Sequence, residues 1–442
     1  MNIIPENTIF VVLCFEGPDS YSMAGGLGDK ITRLTSALAD VGFIVHHFFI
    51  GDPGLNGTEH REDGRLILHR WCQWISESHR GGVYDGEQWK IDDYTKSASL
   101  FAVQEVIHPA ISAGKKVVVL GEEWQTVGAM CCIHDLLHMY HLRDKAIMFW
   151  NANEIYGFEK IDWVFLSRAT KITVASEYMK QIMLKKGVNP VVLPNGIPEV
   201  LLEPVDEAAV SQIKEALGVE TILTKIGGLR QDNGWMPTVN AIHNLKRVGD
   251  RAKLLAHIGR ESDIKKVAHQ AKSLGIGIES ITSKIDSKNS YLSTMSENDL
   301  TRYSEALAGA STSDIINFAF PIPPCLSSLL YRASDVVLTN SGHDPFDLLG
   351  MEAMASGAIV FTSRKAEGIA EHMRNAIVLD KYTAEEIQFY VSYLRMHPEK
   401  REMIKASARQ TAAQWTYKEI VTKLLGQVEF QAQAQGVNLL FQ

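Results

Sequence analysis

Two short segments hold residue types that can do chemistry. The first, Met23-Ala24-Gly25-Gly26-Leu27-Gly28-Asp29, follows the apolar run Ile9–Phe15 and precedes a segment with Ile31, Leu34 and Leu38 on one helical face. Glycines let a backbone approach a ligand closely, and the start of a helix offers unpaired N–H groups to an anion such as a phosphate. A tight strand-to-helix turn without a ligand uses the same residues, and the G-x-G-x-x-G spacing of a dinucleotide site is absent. The second runs from Ser341 to Gly357, where Asp344 falls in a loop after the apolar run Val336–Thr339 and Glu352 on the helix that follows. Two such carboxylates can accept hydrogen bonds from several hydroxyls, as a sugar or ribose requires; a capping Asp and a solvated helical Glu are the alternative.

Other candidates are weaker. Glu122 and Glu123 follow the run Val117–Leu120 and could orient a hydroxyl or act as a base, although adjacent acids point in different directions, so one of the two at most is expected to function. His134 and His138 lie four apart on a helical segment, but with no third ligand at a suitable spacing they read as polar histidines rather than a metal site. Trp71-Cys72-Gln73-Trp74 suits either buried packing or the wall of a sugar site.

These segments need a scaffold, and the chain supplies one. Short runs rich in Val, Ile and Phe recur between helix-length stretches: Ile9–Phe15, Phe43–Ile50, Val117–Leu120, Ala146–Trp150, Ile172–Ala175 and Val191–Leu193. After Pro194-Asn195-Gly196-Ile197-Pro198 the pattern restarts with Ile222–Ile226, Lys253–Ile258, Ile315–Phe320, Val336–Thr339, Ile359–Thr362 and Ile377–Leu379. Runs of this kind indicate parallel strands joined by crossover helices. The expected fold class is α/β, with two doubly wound Rossmann-like domains, 1–200 and 207–411, and a hinge near 196–207. Ligands of such folds bind outside the carboxyl ends of the strands. A helix over 412–427 either crosses back to the first domain or simply ends the second, and 428–442 reads as a frayed tail.

Composition narrows the class of function. The 442 residues exceed what one hydrophobic core usually serves, which agrees with two domains. A net charge of −8, from 44 Lys+Arg against 52 Asp+Glu, argues against a broad grip on nucleic acid. Five cysteines without paired zinc spacing point to free thiols in a reducing, cytoplasmic setting. No apolar run approaches the roughly 20 residues of a membrane-spanning helix.

Together the Gly25-Gly26-Leu27-Gly28 loop, the Asp344-to-Glu352 segment with Glu352-Ala353-Met354-Ala355-Ser356-Gly357, and the linker Leu193-Pro194-Asn195-Gly196-Ile197 resemble retaining GT-B glycosyltransferases of the glycogen-synthase and sucrose-synthase type. These three lie in both halves and in the right order, and Gly121-Glu122-Glu123-Trp124-Gln125-Thr126, Trp150-Asn151-Ala152-Asn153 and Val174-Ala175-Ser176-Glu177 add further matches in the first half. The resemblance implies a GT-B fold with its two domains facing a central cleft, a nucleotide-sugar donor, an acceptor hydroxyl of unknown identity, and no cofactor or essential metal. By this resemblance Asp344, near the donor sugar hydroxyls, is a candidate catalytic residue, and Glu352 stands on the ribose. Gly25, Gly26, Leu27, Gly28, Phe346 and Arg230 belong to the donor site, and Trp124, Asn151 and Asn153 to the acceptor side, with Glu122 or Glu123 as the candidate catalytic acid or base. Where the family has an Arg and a Lys on the leaving diphosphate, this sequence has Gly228 and Asn233; Asp347 replaces a glycine, and Met23 a lysine. Arg230 either replaces the missing cations or is a surface cation. The competing expectation is therefore a catalytically silent glycosyltransferase-fold protein that acts as a binding or scaffold subunit with a protein partner.

Overall fold

In the first strand, β1 (Thr8–Leu13), every residue is buried, and its side chains alternate between two cores. Ile9, Val11 and Leu13 join one hydrophobic cluster, Phe10 and Val12 the other. A strand covered on both faces has no polar face to show, so it reads as a continuous apolar run. The computed structural model describes residues 3–226, 234–258, 261–282, 297–320, 322–339, 348–363 and 368–435. Arg230, Gly228, Asn233, Asp344, Phe346 and Asp347 lie outside the described residues.

The chain divides into two units. Unit 1 comprises the residues up to Gly196 together with those from Tyr417 onward; unit 2 is Ile197–Thr416. Unit 1 is built on β1, β2 (Ile44–Ile50), β3 (Thr58–Arg61), β4 (Leu66–Trp71), β5 (Lys116–Glu122), β6 (Ala146–Ala152), β7 (Lys171–Val174) and β8 (Val191–Val192). They form one sheet in the order β3-β4-β2-β1-β5-β6-β7-β8, all parallel except the antiparallel β3–β4 pair. Unit 2 has β9 (Thr221–Ile226), β10 (Ala252–His257), β11 (Ile278–Ile281), β12 (Ile315–Phe318), β13 (Val336–Leu338), β14 (Val360–Ser363) and β15 (Ile377–Leu379). Its sheet runs β11-β12-β10-β9-β13-β14-β15, and all its pairings are parallel, with separate cores on its two faces.

Three strands escape the apolar-run reading. β3 is Thr-Glu-His-Arg, an edge strand of half-exposed polar residues. In β4 the run is broken by His69 and Arg70, which are nonetheless buried. Arg70 is tolerated there because Asp19 receives it bidentately at 2.8 and 3.0 Å, Glu59 meets its other edge, and the Asn56 carbonyl accepts at 2.9 Å. β11, at the edge of the second sheet, is short and half polar.

The end of the chain also differs from the sequence expectation. A helix Pro398–Ala412 finishes unit 2, and a separate helix, Tyr417–Ala434, returns to unit 1. It therefore runs seven residues beyond the boundary at 427. Its buried Tyr417, Val421, Leu424, Val428 and Ala432 recur at three- and four-residue intervals and pack with Phe10, Val12, Leu34 and Leu38.

Candidate active site

The carboxyl ends of β1, β5 and β6 bring one buried polar network together in unit 1. β1 leads through Cys14 and Phe15 to Glu16, and the chain then loops to the helix α1 (Gly26–Asp40). Glu16 Oε2 accepts from the N–H groups of Ala24, Gly25 and Gly28 at 3.1, 3.1 and 3.0 Å, while Tyr84 OH donates to Oε1 at 2.6 Å. The glycine loop thus binds an anion, but the anion is the protein's own carboxylate. Burial, and then Glu16, push the Tyr84 phenol well above its ordinary pKa, so it stays a donor.

One turn into α1, Lys30 points into the network and is buried. Its ammonium donates to Glu122 Oε2 at 2.8 Å and to Asn153 Oδ1 at 2.9 Å. Asn151 and Asn153, at the end of β6, each donate an amide to the same Glu122 oxygen at 3.0 and 2.9 Å. Thr173 donates to Asn151 Oδ1 at 2.9 Å, and Asn195 Nδ2 lies 3.5 Å from Asn153 Oδ1. Glu122 is therefore tied to a cation and two amides, which leaves it poorly placed to move a proton.

Glu123 turns the other way. Its backbone has φ 62° and ψ 167°, a region almost reserved for glycine that costs a side-chain-bearing residue about 1–3 kcal/mol. The conformation is held from several sides: its N–H donates to the Asn151 carbonyl at 3.0 Å, and its carbonyl accepts from Trp150 Nε1 at 3.0 Å and Thr126 N at 3.1 Å. The residue is 5% exposed, and its Oε1 accepts from Asn153 N at 2.5 Å. Burial pushes its pKa up to about 8, with Glu154 and Glu122 adding to the shift and the Asn153 bonds opposing it. A carboxyl that gains and loses a proton near neutrality suits general acid–base work.

Trp124, next in the chain, is buried, with Gly157 packed against its ring and the Lys160 ammonium 3.7 Å from its centroid. Tyr156 meets it edge-on at 6.3 Å. The sequence candidates Gly25, Gly28, Glu122, Glu123, Trp124, Asn151 and Asn153 are thus gathered at one sheet edge. Glu16, Lys30 and Tyr84 belong there too and are not marked by any local pattern, because their partners lie 8 to 123 positions away. In unit 2, Glu352 sits half-buried on the helix Leu348–Ala355, beyond the carboxyl end of β13.

The histidine pair takes another role. Arg143 Nε donates to His134 Nδ1 at 2.9 Å, and burial followed by Arg143 holds His134 below the usual imidazole range. These residues line an open cavity of about 490 Å³ with His138, His141 and Arg168. It lies by the segments that enter β6 and β7, at the sheet edge opposite the Glu123 network. Of the tryptophan pair, Trp71 packs on Phe48 and Phe101 and donates to Ser97, whereas Trp74 is exposed.

Comparison with known proteins places this architecture. Residues 306–426 match the family model described as glycosyl transferase-like, a stretch that ends within the Tyr417–Ala434 helix. Among curated proteins none matches the chain. Sucrose-phosphate synthase from Thermosynechococcus elongatus superposes with a TM-score of 0.64 at 14% identity, covering 97% of this chain and 99% of that one. HepE of Anabaena in complex with UDP gives 0.60 at 14% over 96% and 100%. The trehalose 6-phosphate synthase of Burkholderia multivorans gives 0.60 at 13% over 99% of both chains. The chain has the GT-B fold. Among the described residues its two Rossmann-like units have eight and seven strands, and residues 306–426 of the chain are similar to the glycosyl transferase-like family.

Proposed function

We propose that this protein is a nucleotide-sugar-dependent hexosyltransferase that transfers with retention and without a metal. The observation that carries this reading is Glu123: a strained, buried carboxyl with its pKa pushed up to about 8, at the strand ends of a GT-B unit. In the proposed reaction the acceptor oxygen bonds to the anomeric carbon on the face from which the nucleoside diphosphate departs. The C–O bond to the diphosphate breaks with its electron pair, and the hydroxyl proton passes to the departing phosphate oxygen. Glu123 positions the acceptor hydroxyl by hydrogen bonding while the proton goes to the phosphate. Asp344 and Phe346 are assigned to the donor sugar, Glu352 to the ribose, and Arg230, Gly26 and Leu27 to the phosphates, while Trp124, Asn151 and Asn153 stay on the acceptor side. Since Glu16 already occupies the N–H groups of Gly25 and Gly28, these two glycines shape the loop instead of binding the diphosphate. Five free cysteines support a cytoplasmic setting.

The test is nucleotide release from UDP-, ADP- and GDP-sugars in the presence of EDTA, with the anomeric configuration of the product read by NMR. Release that persists in EDTA and falls at least a hundredfold in Glu123→Ala and Glu352→Ala supports the reading. A second reading, a binding or scaffold subunit, is favoured by Gly228 and Asn233 and by Glu16 in the amide nest. Absence of binding to any nucleoside diphosphate or sugar nucleotide in calorimetry would defeat the transferase and leave this second reading.

A further inference from the structure

The open cavity of about 490 Å³ in unit 1 lies where several helices hand over to strands. The helix Val127–Met139 brings His134 and His138 to its wall, and the helix Trp163–Ala169 brings Arg168. Gln435 follows directly on the helix Tyr417–Ala434, and the turn that leads into β6 adds His141, Arg143 and Asp144. This turn is fixed by the backbone itself: Leu142 N donates to the Leu137 carbonyl at 2.8 Å, and Lys145 N to the Leu142 carbonyl at 3.0 Å.

The wall is rich in donors that the protein leaves unused. Arg143, half-buried, donates from Nε to His134 Nδ1 at 2.9 Å, from Nη1 to the Ala146 carbonyl at 2.8 Å and from Nη2 to the Ala169 carbonyl at 2.8 Å. All three acceptors are uncharged, and each Nη keeps a second N–H. Because His134 accepts at Nδ1, its proton sits on Nε2, which meets no protein acceptor among the described residues. Arg168, His138 and His141 are exposed, and their side chains likewise donate to no described protein group.

The charges point the same way. The segments 140–145 and 168–171, which enter β6 and β7, carry Arg143, Lys145, Arg168 and Lys171 against Asp144 alone. Asp135, close enough to act on His134, is a second acid nearby, so four cations face two acids. None of the four is ion-paired among the described residues. Carboxyl ends of helices favour cations, but at Ala169 that need is already met by Arg143, which leaves Arg168 without such a task.

We propose that this cavity is a binding site for a phosphate monoester, at the sheet edge opposite the Glu123 network. Arg168 and the free N–H groups of Arg143 pair with the phosphate oxygens, and His134 Nε2 donates to the same group beside His138 and His141. The remaining volume takes the organic part, since pockets of roughly 300–1,000 Å³ suit small organic ligands. The site stands on unit 1 alone and does not require the transferase reading.

The experiment is calorimetry at pH 7 and low salt on the full chain, together with NMR of the histidine ring C–H groups. Glycerol 3-phosphate and inorganic phosphate serve as probes, and glycerol as the uncharged control. Glycerol 3-phosphate is expected to bind with a Kd of about 1 mM or tighter and to shift the rings of His134, His138 and His141, whereas glycerol does neither. Arg168→Ala, and His138→Ala combined with His141→Ala, alter exposed residues; each should weaken binding at least about tenfold with an unchanged melting temperature. Arg168→Lys, which keeps the charge, should recover part of the loss. Equal affinity in wild type and these variants overturns the proposal, as does the absence of binding by glycerol 3-phosphate. Tighter binding of inorganic phosphate than of glycerol 3-phosphate overturns it in favour of a seat for the free ion. No readout here uses turnover, so failure of the transferase reading leaves the result of this test unchanged.

Discussion

Glu123 combines backbone strain with a proton held near neutrality, and the two have separable consequences. Its carboxyl ordinarily titrates at 4.5 and in the fold at about 8, so between these values the native state binds more protons than the unfolded chain. Stability contributed by this group is therefore fully present below about pH 4.5 and is lost as pH rises through 8. Glu123→Gln cannot ionise, so its melting temperature relative to wild type should be clearly more favourable at pH 9 than at pH 6. Parallel melting curves at the two pH values would count against a buried, proton-holding carboxyl. Glu16 makes a second prediction at this scale. Glu16→Ala empties the nest of three N–H groups, so millimolar inorganic phosphate should stabilise the variant more than it stabilises wild type in thermal shift. Equal phosphate responses in the two proteins would mean that Glu16 does not occupy the anion seat.

The elements that meet at the site are held by polar contacts that no local pattern announces. α1, β5 and β6 are joined through Lys30, Glu122, Asn151 and Asn153, and Lys30 and Glu122 are nearly inaccessible to water, with side-chain exposures of 8% and 5%. Removing one partner of a buried ion pair leaves an uncompensated charge, which typically costs 3–5 kcal/mol. Lys30→Met should accordingly lower unfolding stability by about 3 kcal/mol, and Lys30→Met with Glu122→Gln should recover much of it. Additive losses in denaturant titrations of the double-mutant cycle would show that the pair is not coupled. The sequence reveals this region unevenly. β5 and β6 are legible because both their faces are buried, and the glycine loop because its composition is unusual. Lys30 is not, since Asp29-Lys30-Ile31 looks like any amphipathic helix start until Glu122 arrives from 92 positions away. The β3–β4 hairpin is hidden for a related reason: Arg70 interrupts the apolar pattern, and what makes its burial tolerable is Asp19, 51 positions earlier.

At the scale of the whole chain, unit 1 is closed by residues from both ends of the sequence. The Tyr417–Ala434 helix covers the face of the first sheet on which α1 also lies, and Leu424 is 1% exposed within that cluster. The sequence shows its apolar points but leaves open which unit it serves, because an amphipathic stripe does not name its partner. Truncating a buried leucine to alanine removes both transfer free energy and packing, typically 2–5 kcal/mol where the cavity cannot collapse. Leu424→Ala should therefore destabilise unit 1 by about 3 kcal/mol, although it lies more than 200 residues from Gly196. Hydrogen exchange locates the effect: amides of β1, α1 and β6 should exchange faster in the variant, while those of β9, β10 and β12 keep wild-type rates. If protection fell equally in both sheets, the helix would belong to a single cooperative body rather than to unit 1. If it fell only in the second sheet, the packing of Leu424 against Phe10 and Val12 would be refuted, and with it the return of the chain to its first unit.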